Sequence, residues 1–258
     1  MNEAIRETLL EAVRNGGATM RQRVGHVTVS YKTSWSDLVT EVDKAVEEAV
    51  FDLVKRRFPD HGVLGEEGGG AFDREYTWIL DPLDGTTNFA HTLPNYVCSL
   101  AVCRGREVVA GAIYDPNRDE LFFAARGEGA TLNGQPIQVD AAPSLREALI
   151  GTNLLWDTRE NRFASLPELQ SLGQQVRGVR SLGAAALELA YVACGRLTGF
   201  AQFRLGPWDF AAGILLVAEA GGTATQFSGD PVDVTHASSV VASNGRVHGE
   251  LLRYLQQA

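Results

Sequence analysis

The chain has 258 residues, 45% hydrophobic and 21% charged; that is the make-up of one large or two tightly packed globular domains and is too apolar for a disordered chain. Its formal net charge of −9 argues against binding to nucleic-acid backbones or anionic lipid, which an acidic protein repels. No run approaches the roughly 18 apolar residues of a membrane helix, and Cys98, Cys103 and Cys194 lie in apolar contexts with no C-x-x-C, as buried reduced thiols of a cytoplasmic protein do.

MNEAIRETLLEAVRNGG mixes charges through its apolar positions, so it reads as an amphipathic helix and not a signal peptide. Ile5, Leu9, Leu10 and Val13 give one face of a helix over 3–14, with Gly16-Gly17 as its stop. Leu38, Val42, Ala45, Val46, Ala49, Val50, Leu53 and Val54 form a stripe that predicts a helix from Asp37 to Phe58, with Asp43 beside the polar edge and Pro59 just past the end. Gly62 to Gly70 reads as a loop carrying Glu66 and Glu67. TWIL (77–80) is a short strand, and DPLDGTTNF (81–89) is a turn-forming stretch. YVCSLAV, EVVAGAIY and ELFFAA follow as strands, and Asn133-Gly134 marks a hairpin. The first 140 residues therefore read as helices followed by a largely antiparallel sheet. Small and turn residues over 141–144 mark a lobe boundary. Beyond it come a strand over 148–154, a helix over 160–175, a short strand over 176–180, and a helix over 183–194 ending at Gly195. A helix from Pro207 to Glu219 stops at Gly221-Gly222, ATQF and SSVVASN are strands, and 245–257 is a terminal helix. This half alternates strands and helices and is α/β in character.

Four acidic clusters stand out: Asp43, Glu66-Glu67, Asp81 with Asp84, and Asp209. Asp81 follows an apolar strand, Pro82 fixes the backbone, and Asp84 lies three residues on. Two carboxylates at a strand end can converge on a hard cation. Gly85 permits close backbone approach, and Thr86-Thr87 can open a short helix whose N–H groups hold an anion. The same residues also fit a plain Asx-turn with an N-cap. Asp209, in the first turn of its helix, fits dipole compensation, yet Ala211-Ala212-Gly213 keeps that turn slim enough for a ligand or another element to approach. Glu66-Glu67 fits either a solvated turn or a cation site. The histidines His26, His61, His91, His236 and His248 are scattered without H-x-x-x-H spacing, and read as surface or structural.

Taken in order, DLVTEVD, GEE, WILDPLDGTTNF, RSLGAAALELAYVACG and PWDFAAG-ILLVAEAGG resemble the inositol monophosphatase family, within the larger group of lithium-sensitive, magnesium-dependent phosphatases. The resemblance runs from about Asp37 to Asn244. It implies a layered αβαβα sugar-phosphatase fold, α/β in class, with an α+β lobe over 1–140 and an α/β lobe over 141–258. The metal site would lie between them and the chain would be a homodimer. It implies about two to three Mg²⁺ ions per site: Glu66, Asp81 and the Leu83 carbonyl for the first, Asp81, Asp84 and Asp209 for the second, and Glu66 with Glu67 through water for a weaker third. Asp43, Glu66 and Thr86 are the catalytic residues it implies, with Thr86 paired to Asp43 to orient the attacking water. Gly85 and Thr86 would cradle the phosphate. Glu66, Leu83, Asp84, Arg180, Gly183, Ala184, Ala185, Gln202 and Asp209 would contact the substrate, and Lys32 would sit on a flap over the site.

Simple electrostatics agrees with that set. A phosphate monoester carries about two negative charges, which four carboxylates would repel without cations. Hard Mg²⁺ takes oxygen ligands and keeps waters, and metal-activated water can attack phosphorus in line. No Cys-x5-Arg or D-x-D-x-T supplies a protein nucleophile. Two positions depart from the family pattern: Gln202, where many relatives carry Glu, and Gly206, where relatives carry a basic or other polar residue. Both bear on substrate choice and neither on the metals. The expected activity is inositol-1-monophosphatase. Fructose 1,6-bisphosphate, histidinol phosphate and 3′-phosphoadenosine 5′-phosphate are alternative substrates of the same chemistry, and a non-catalytic regulatory binding protein is the reading from a different class.

Overall fold

The computed structural model describes residues 1–26, 29–31, 38–153 and 166–256; Lys32 lies outside them. Helix α1 (Glu3–Arg23) opens the chain, and strands β1 (Val29–Tyr31) and β2 (Leu38–Thr40) pair antiparallel before α2 (Glu41–Arg57). Then come β3 (Gly62–Gly65), β4 (Gly69–Gly70), β5 (Tyr76–Asp84), the short α3 (Thr86–Ala90), β6 (Val97–Arg104), β7 (Glu107–Asp115), β8 (Glu120–Ala125), β9 (Gly129–Leu132) and β10 (Gln135–Pro136). These strands form an eight-stranded sheet, β10-β9-β8-β7-β6-β5-β3-β4, parallel only between β3 and β5. The remainder supplies β11 (Leu149–Thr152), α4 (Leu166–Gln175), β12 (Gly178–Arg180), α5 (Ala185–Ala193), β13 (Gly199–Leu205), α6 (Pro207–Glu219), β14 (Thr223–Thr225), β15 (Ser238–Ser243) and α7 (His248–Gln256). Its five-stranded sheet, β12-β11-β13-β15-β14, is parallel through β12, β11 and β13 and antiparallel beyond.

The side-chain period of two explains why the central strands read as unbroken apolar runs. On β6, Cys98, Leu100 and Val102 join the core beneath α1 and α2, while Val97, Ala101 and Cys103 join the core beneath α5 and α6. A third core packs Leu172 of α4 and Leu251 and Leu255 of α7 on the far face of the second sheet, against Ile150, Ala201 and Val241. The layers thus run helix, sheet, helix, sheet, helix, the expected αβαβα order. Among the described residues, no helix is long and apolar enough to cross a membrane.

Several sequence expectations need correction. Gly16 and Gly17 do not stop α1, which runs on to Arg23. They are buried, and a Cβ on Gly16 would stand 2.9 Å from the Cys98 sulfur, while one on Gly17 would overlap the Tyr114 ring. Their smallness lets the helix lie close on the sheet, which outweighs their poor helix propensity. Helix α2 starts at Glu41, not Asp37, because Thr40 and Asp43 form a capping box there. Strand β13, the middle of the second sheet, was not expected from the sequence. Ala211-Ala212-Gly213 is slim for another element: Gly111 of β7 abuts Ala212, and Gly213 abuts Leu189 of α5. Cys98 and Cys103 are buried and Cys194 is half-buried. Burial raises the Cys98 thiol and pushes that of Cys103 up to about 12, so both stay protonated at neutral pH.

Candidate active site

Asp81 and Asp84 both lie at the end of β5. A step of three along a regular strand would put their side chains on opposite faces. The β5–β6 register shifts between Asp81 and Asp84, so the irregularity turns both carboxylates the same way. The chain then leaves through Gly85, whose φ of 91° is left-handed; a Cβ there would stand 2.6 Å from the Asn95 carbonyl oxygen. Helix α3 begins at the next residue, as the Thr86-Thr87 pair suggested.

Asp209 comes from the first turn of α6. One oxygen from each of Asp81, Asp84 and Asp209 lies within 4.8 Å of the others. Asp81 Oδ1 accepts the Leu83 N–H at 3.0 Å. Asp84 accepts the first three N–H groups of α5: Ala185 at 3.0 Å, Ala186 at 2.8 Å and Leu187 at 3.3 Å. Asp209 Oδ2 accepts the Gly206 N–H at 2.6 Å.

Burial holds the Asp81 carboxyl well above the usual range, and the nearby charges of Glu66, Asp84 and Asp209 push the same way. Burial also raises Asp84, as does Asp209, against the pull of the α5 N–H groups. These carboxyls resist ionising together, and a bound cation relieves that conflict. Three converging carboxylates are also the donor set that a hard divalent cation takes.

Asp43 lies beside this cluster. It is buried, and its Oδ2 accepts from the Thr40 N–H at 2.8 Å and the Thr40 hydroxyl at 2.6 Å. Burial raises its pKa, the Thr40 bonds lower it, and Glu67 raises it again. The Thr86 hydroxyl lies 3.0 Å from the Leu83 carbonyl oxygen and 3.3 Å from Asp43 Oδ1, so its single proton is shared between two acceptors. Glu66 and Glu67 are half-buried on the loop after β3. The Glu67 N–H donates to Glu47, a buried acid whose carboxylate occupies the space a Cβ on Gly65 or Gly68 would need.

The remaining expected site residues fall into two groups. Gly183, Ala184 and Ala185 form the turn into α5 next to Asp84, and Ala184 packs toward Gly85. Gln202 is buried on β13, its Oε1 accepting the Asn153 N–H at 3.2 Å. Arg180 is exposed at the end of β12 and donates to the Val179 carbonyl; no described contact ties it to the aspartates. Of the histidines, His61 stacks between Phe58 and Tyr76, and His248 sits between Thr225 and Ser243.

Sequence reasoning passed over Asn88, Asn153 and Glu188, the polar side chains that fasten the turn before α5. No spacing rule flags an acid such as Glu188 inside an apolar helix as part of a site, and its burial with no basic partner among the described residues is what marks it.

The model of the inositol monophosphatase family matches residues 1–258. The chain belongs to that family. It is 41% identical to an inositol-1-monophosphatase of Synechocystis sp. over 252 residues, 96% of this chain and 88% of the relative. It is 38% identical to the Nus factor SuhB of Pseudomonas aeruginosa over 258 residues, 96% and 94% of the two. Among solved structures, the extragenic suppressor protein SuhB of Bartonella henselae superposes with a TM-score of 0.93 at 36% identity, covering 99% of each chain. SaIMPase-II with bound inositol monophosphate superposes with a TM-score of 0.84 at 32% identity, covering 98% of this chain and 94% of that one. An IMPase/NADP phosphatase complexed with Mg²⁺ and phosphate superposes with a TM-score of 0.90 at 26% identity, covering 99% and 96%. Within the family, then, the Asp81, Asp84 and Asp209 cluster is a candidate metal site.

Proposed function

We propose that this chain is a Mg²⁺-dependent phosphate monoester hydrolase, with inositol 1-phosphate as the preferred substrate. The observation that carries the reading is the convergence of Asp81, Asp84 and Asp209 from two distant parts of the chain. Bound there, Mg²⁺ supplies positive charge for the phosphoryl oxygens and acidifies water at neutral pH. Asp81, Asp84 and Asp209 would hold it with Glu66 and the Leu83 carbonyl, and Glu67 would act through water.

The chain's own groups do the positioning. Thr40 fixes Asp43, and the Thr86 hydroxyl proton is taken up between Asp43 and the Leu83 carbonyl. That leaves Thr86 lone pairs free to accept a hydrogen bond from the attacking water and aim it in line with the ester bond. The Gly85 and Thr86 N–H groups face the phosphate, where the glycine permits close approach. Gly183, Ala184, Ala185, Gln202 and Arg180 contact the alcohol half of the substrate.

A panel of phosphate esters, assayed for released phosphate with and without Mg²⁺, tests this. Inositol 1-phosphate is expected to lead fructose 1,6-bisphosphate, histidinol phosphate and 3′-phosphoadenosine 5′-phosphate. A large margin for any of these overturns the substrate assignment but keeps the chemistry. One relative is named a Nus factor, which favours a regulatory role as the second reading. Mg²⁺-dependent release from no ester at all would decide for it.

A further inference from the structure

A buried polar knot stands behind the metal cluster. Asn153, at the end of β11, donates from Nδ2 to Glu188 Oε2 at 2.7 Å. Its Oδ1 accepts from the Ser181 hydroxyl at 2.8 Å and the Gly183 N–H at 3.2 Å. Glu188 is fully buried, and its other oxygen lies 3.4 Å from the Leu182 N–H. From the opposite side, Asn88 Nδ2 donates to the Leu182 carbonyl at 2.7 Å, and to Gly183 at 3.3 Å. The turn 181–183 is thus gripped on both sides, and it leads straight into the three N–H groups that hold Asp84. Burying an acid in an apolar helix is costly. Neither Glu188 nor Asn153 lies among the converging aspartates, and core packing alone does not call for this pair.

We propose that Glu188 and Asn153 are positioning residues: by fixing the 181–183 turn they set where α5 presents its N–H groups, and so how Asp84 is aimed at a divalent cation. The proposal rests on the metal reading of the aspartate cluster. Groups that orient a metal ligand from behind commonly change metal affinity 10- to 100-fold when lost. Asp84 is held by three bonds from one rigid helix end, so a shift of that end moves the carboxylate with it.

The test exchanges the two functional groups. E188Q alone leaves one acceptor where two donors point, and N153D alone sets two carboxylates face to face. In E188Q/N153D the amide and carboxylate trade places and every hydrogen bond of the knot can re-form. Mg²⁺ binding by calorimetry on the full chain, without substrate, is expected to weaken about tenfold in each single variant and to return to within about threefold of wild type in the double. The Mg²⁺ concentration for half-maximal activity is expected to shift in parallel, with kcat at saturating Mg²⁺ changed less than about twofold.

V54A, which loosens the distant core beneath α1 and α2, is a stability control and is expected to leave the affinity unchanged. Should E188Q fail to fold, S181A removes one partly buried bond of the knot and is expected to weaken Mg²⁺ binding two- to threefold, roughly 0.4 to 0.65 kcal/mol. Folded single variants with wild-type affinity, a double variant no better than the worse single, or an S181A without effect would each overturn the proposal. Failure of wild-type protein to bind Mg²⁺ at all would instead overturn the metal reading.

Discussion

Helices α5 and α6 bring the second half of the chain to the candidate site, and they are closed at their N-termini by opposite means. Helix α6 carries its own cap: Pro207 opens it, and Asp209 in its first turn takes the Gly206 N–H at 2.6 Å. Helix α5 has none. Its N-cap is Ala184, which makes no side-chain bond. The carboxylate of Asp84 fills that role from 101 residues upstream of Ala185, with three N–H bonds in place of one. In both cases a helix end makes a buried or half-buried anion tolerable. Only in α5 does the cap also tie two distant parts of the fold together, so Asp84 would serve assembly as well as the proposed chemistry, while the cap that Asp209 makes is local.

The largest expected effect treats the three clustered acids alike. D81N, D84N and D209N each remove a ligand charge, and kcat/KM for inositol 1-phosphate is expected to fall about 10³-fold or more, the equivalent of about 4 kcal/mol of transition-state stabilisation. Activity that survives D84N or D209N would locate the chemistry elsewhere. T86V comes next. It removes the hydroxyl that meets Asp43, and under the proposed role of Thr86 in orienting the attacking water kcat is expected to drop about 10²-fold while Mg²⁺ affinity holds.

Stability in metal-free protein separates the two helices. D84A leaves three buried N–H groups without their acceptor, and denaturant unfolding is expected to show a loss of about 1–3 kcal/mol. D209A gives up the Gly206 bond at a half-buried helix start and is expected to cost about 0.5–1 kcal/mol. Each substitution relieves the same Asp84–Asp209 repulsion, so that contribution cancels from the comparison. Equal losses would mean that Asp84 does not cap α5.

This contrast also marks how far the sequence could be read. The α6 site was legible because all its signals are local: Pro, Asp and a slim turn lie within a few residues. The Asp81–Asp84 pair was legible as a motif, but its geometry was not, because the register shift that turns both carboxylates one way is a property of the β5–β6 pairing. The cap on α5 was illegible for the same reason, since its acceptor lies in another part of the chain. Gly16 and Gly17 misled because a glycine pair signals a helix stop locally, and only the neighbouring Cys98 and Tyr114 show that it serves close packing. Strand β13 has only seven residues and a mixed pattern, GFAQFRL, and it becomes a strand through its neighbours β11 and β15.

The smallest effect concerns the buried acid that supports α5. Burial pushes Glu188 up to about 7 from an ordinary value of 4.5, even though the Asn153 and Leu182 bonds favour its ionised form. Between those two values the folded chain holds a proton that the unfolded chain has released. Its stabilising contribution is therefore complete below pH 4.5 and is lost as pH rises through 7. His61 and His248, both lowered by burial, work in the opposite sense over part of this range, so the informative quantity is the difference between wild type and E188Q. Glu128 and Asp233, both lowered, matter only below about pH 4.5. With Mg²⁺ saturating, so that the cluster carboxylates stay ionised, the wild-type advantage over E188Q is expected to shrink steadily from pH 5 to pH 8. Parallel Tm–pH curves for the two proteins would show that Glu188 stays ionised in the fold, and that α5 is supported by a buried charge and not by a carboxyl that gains and loses its proton.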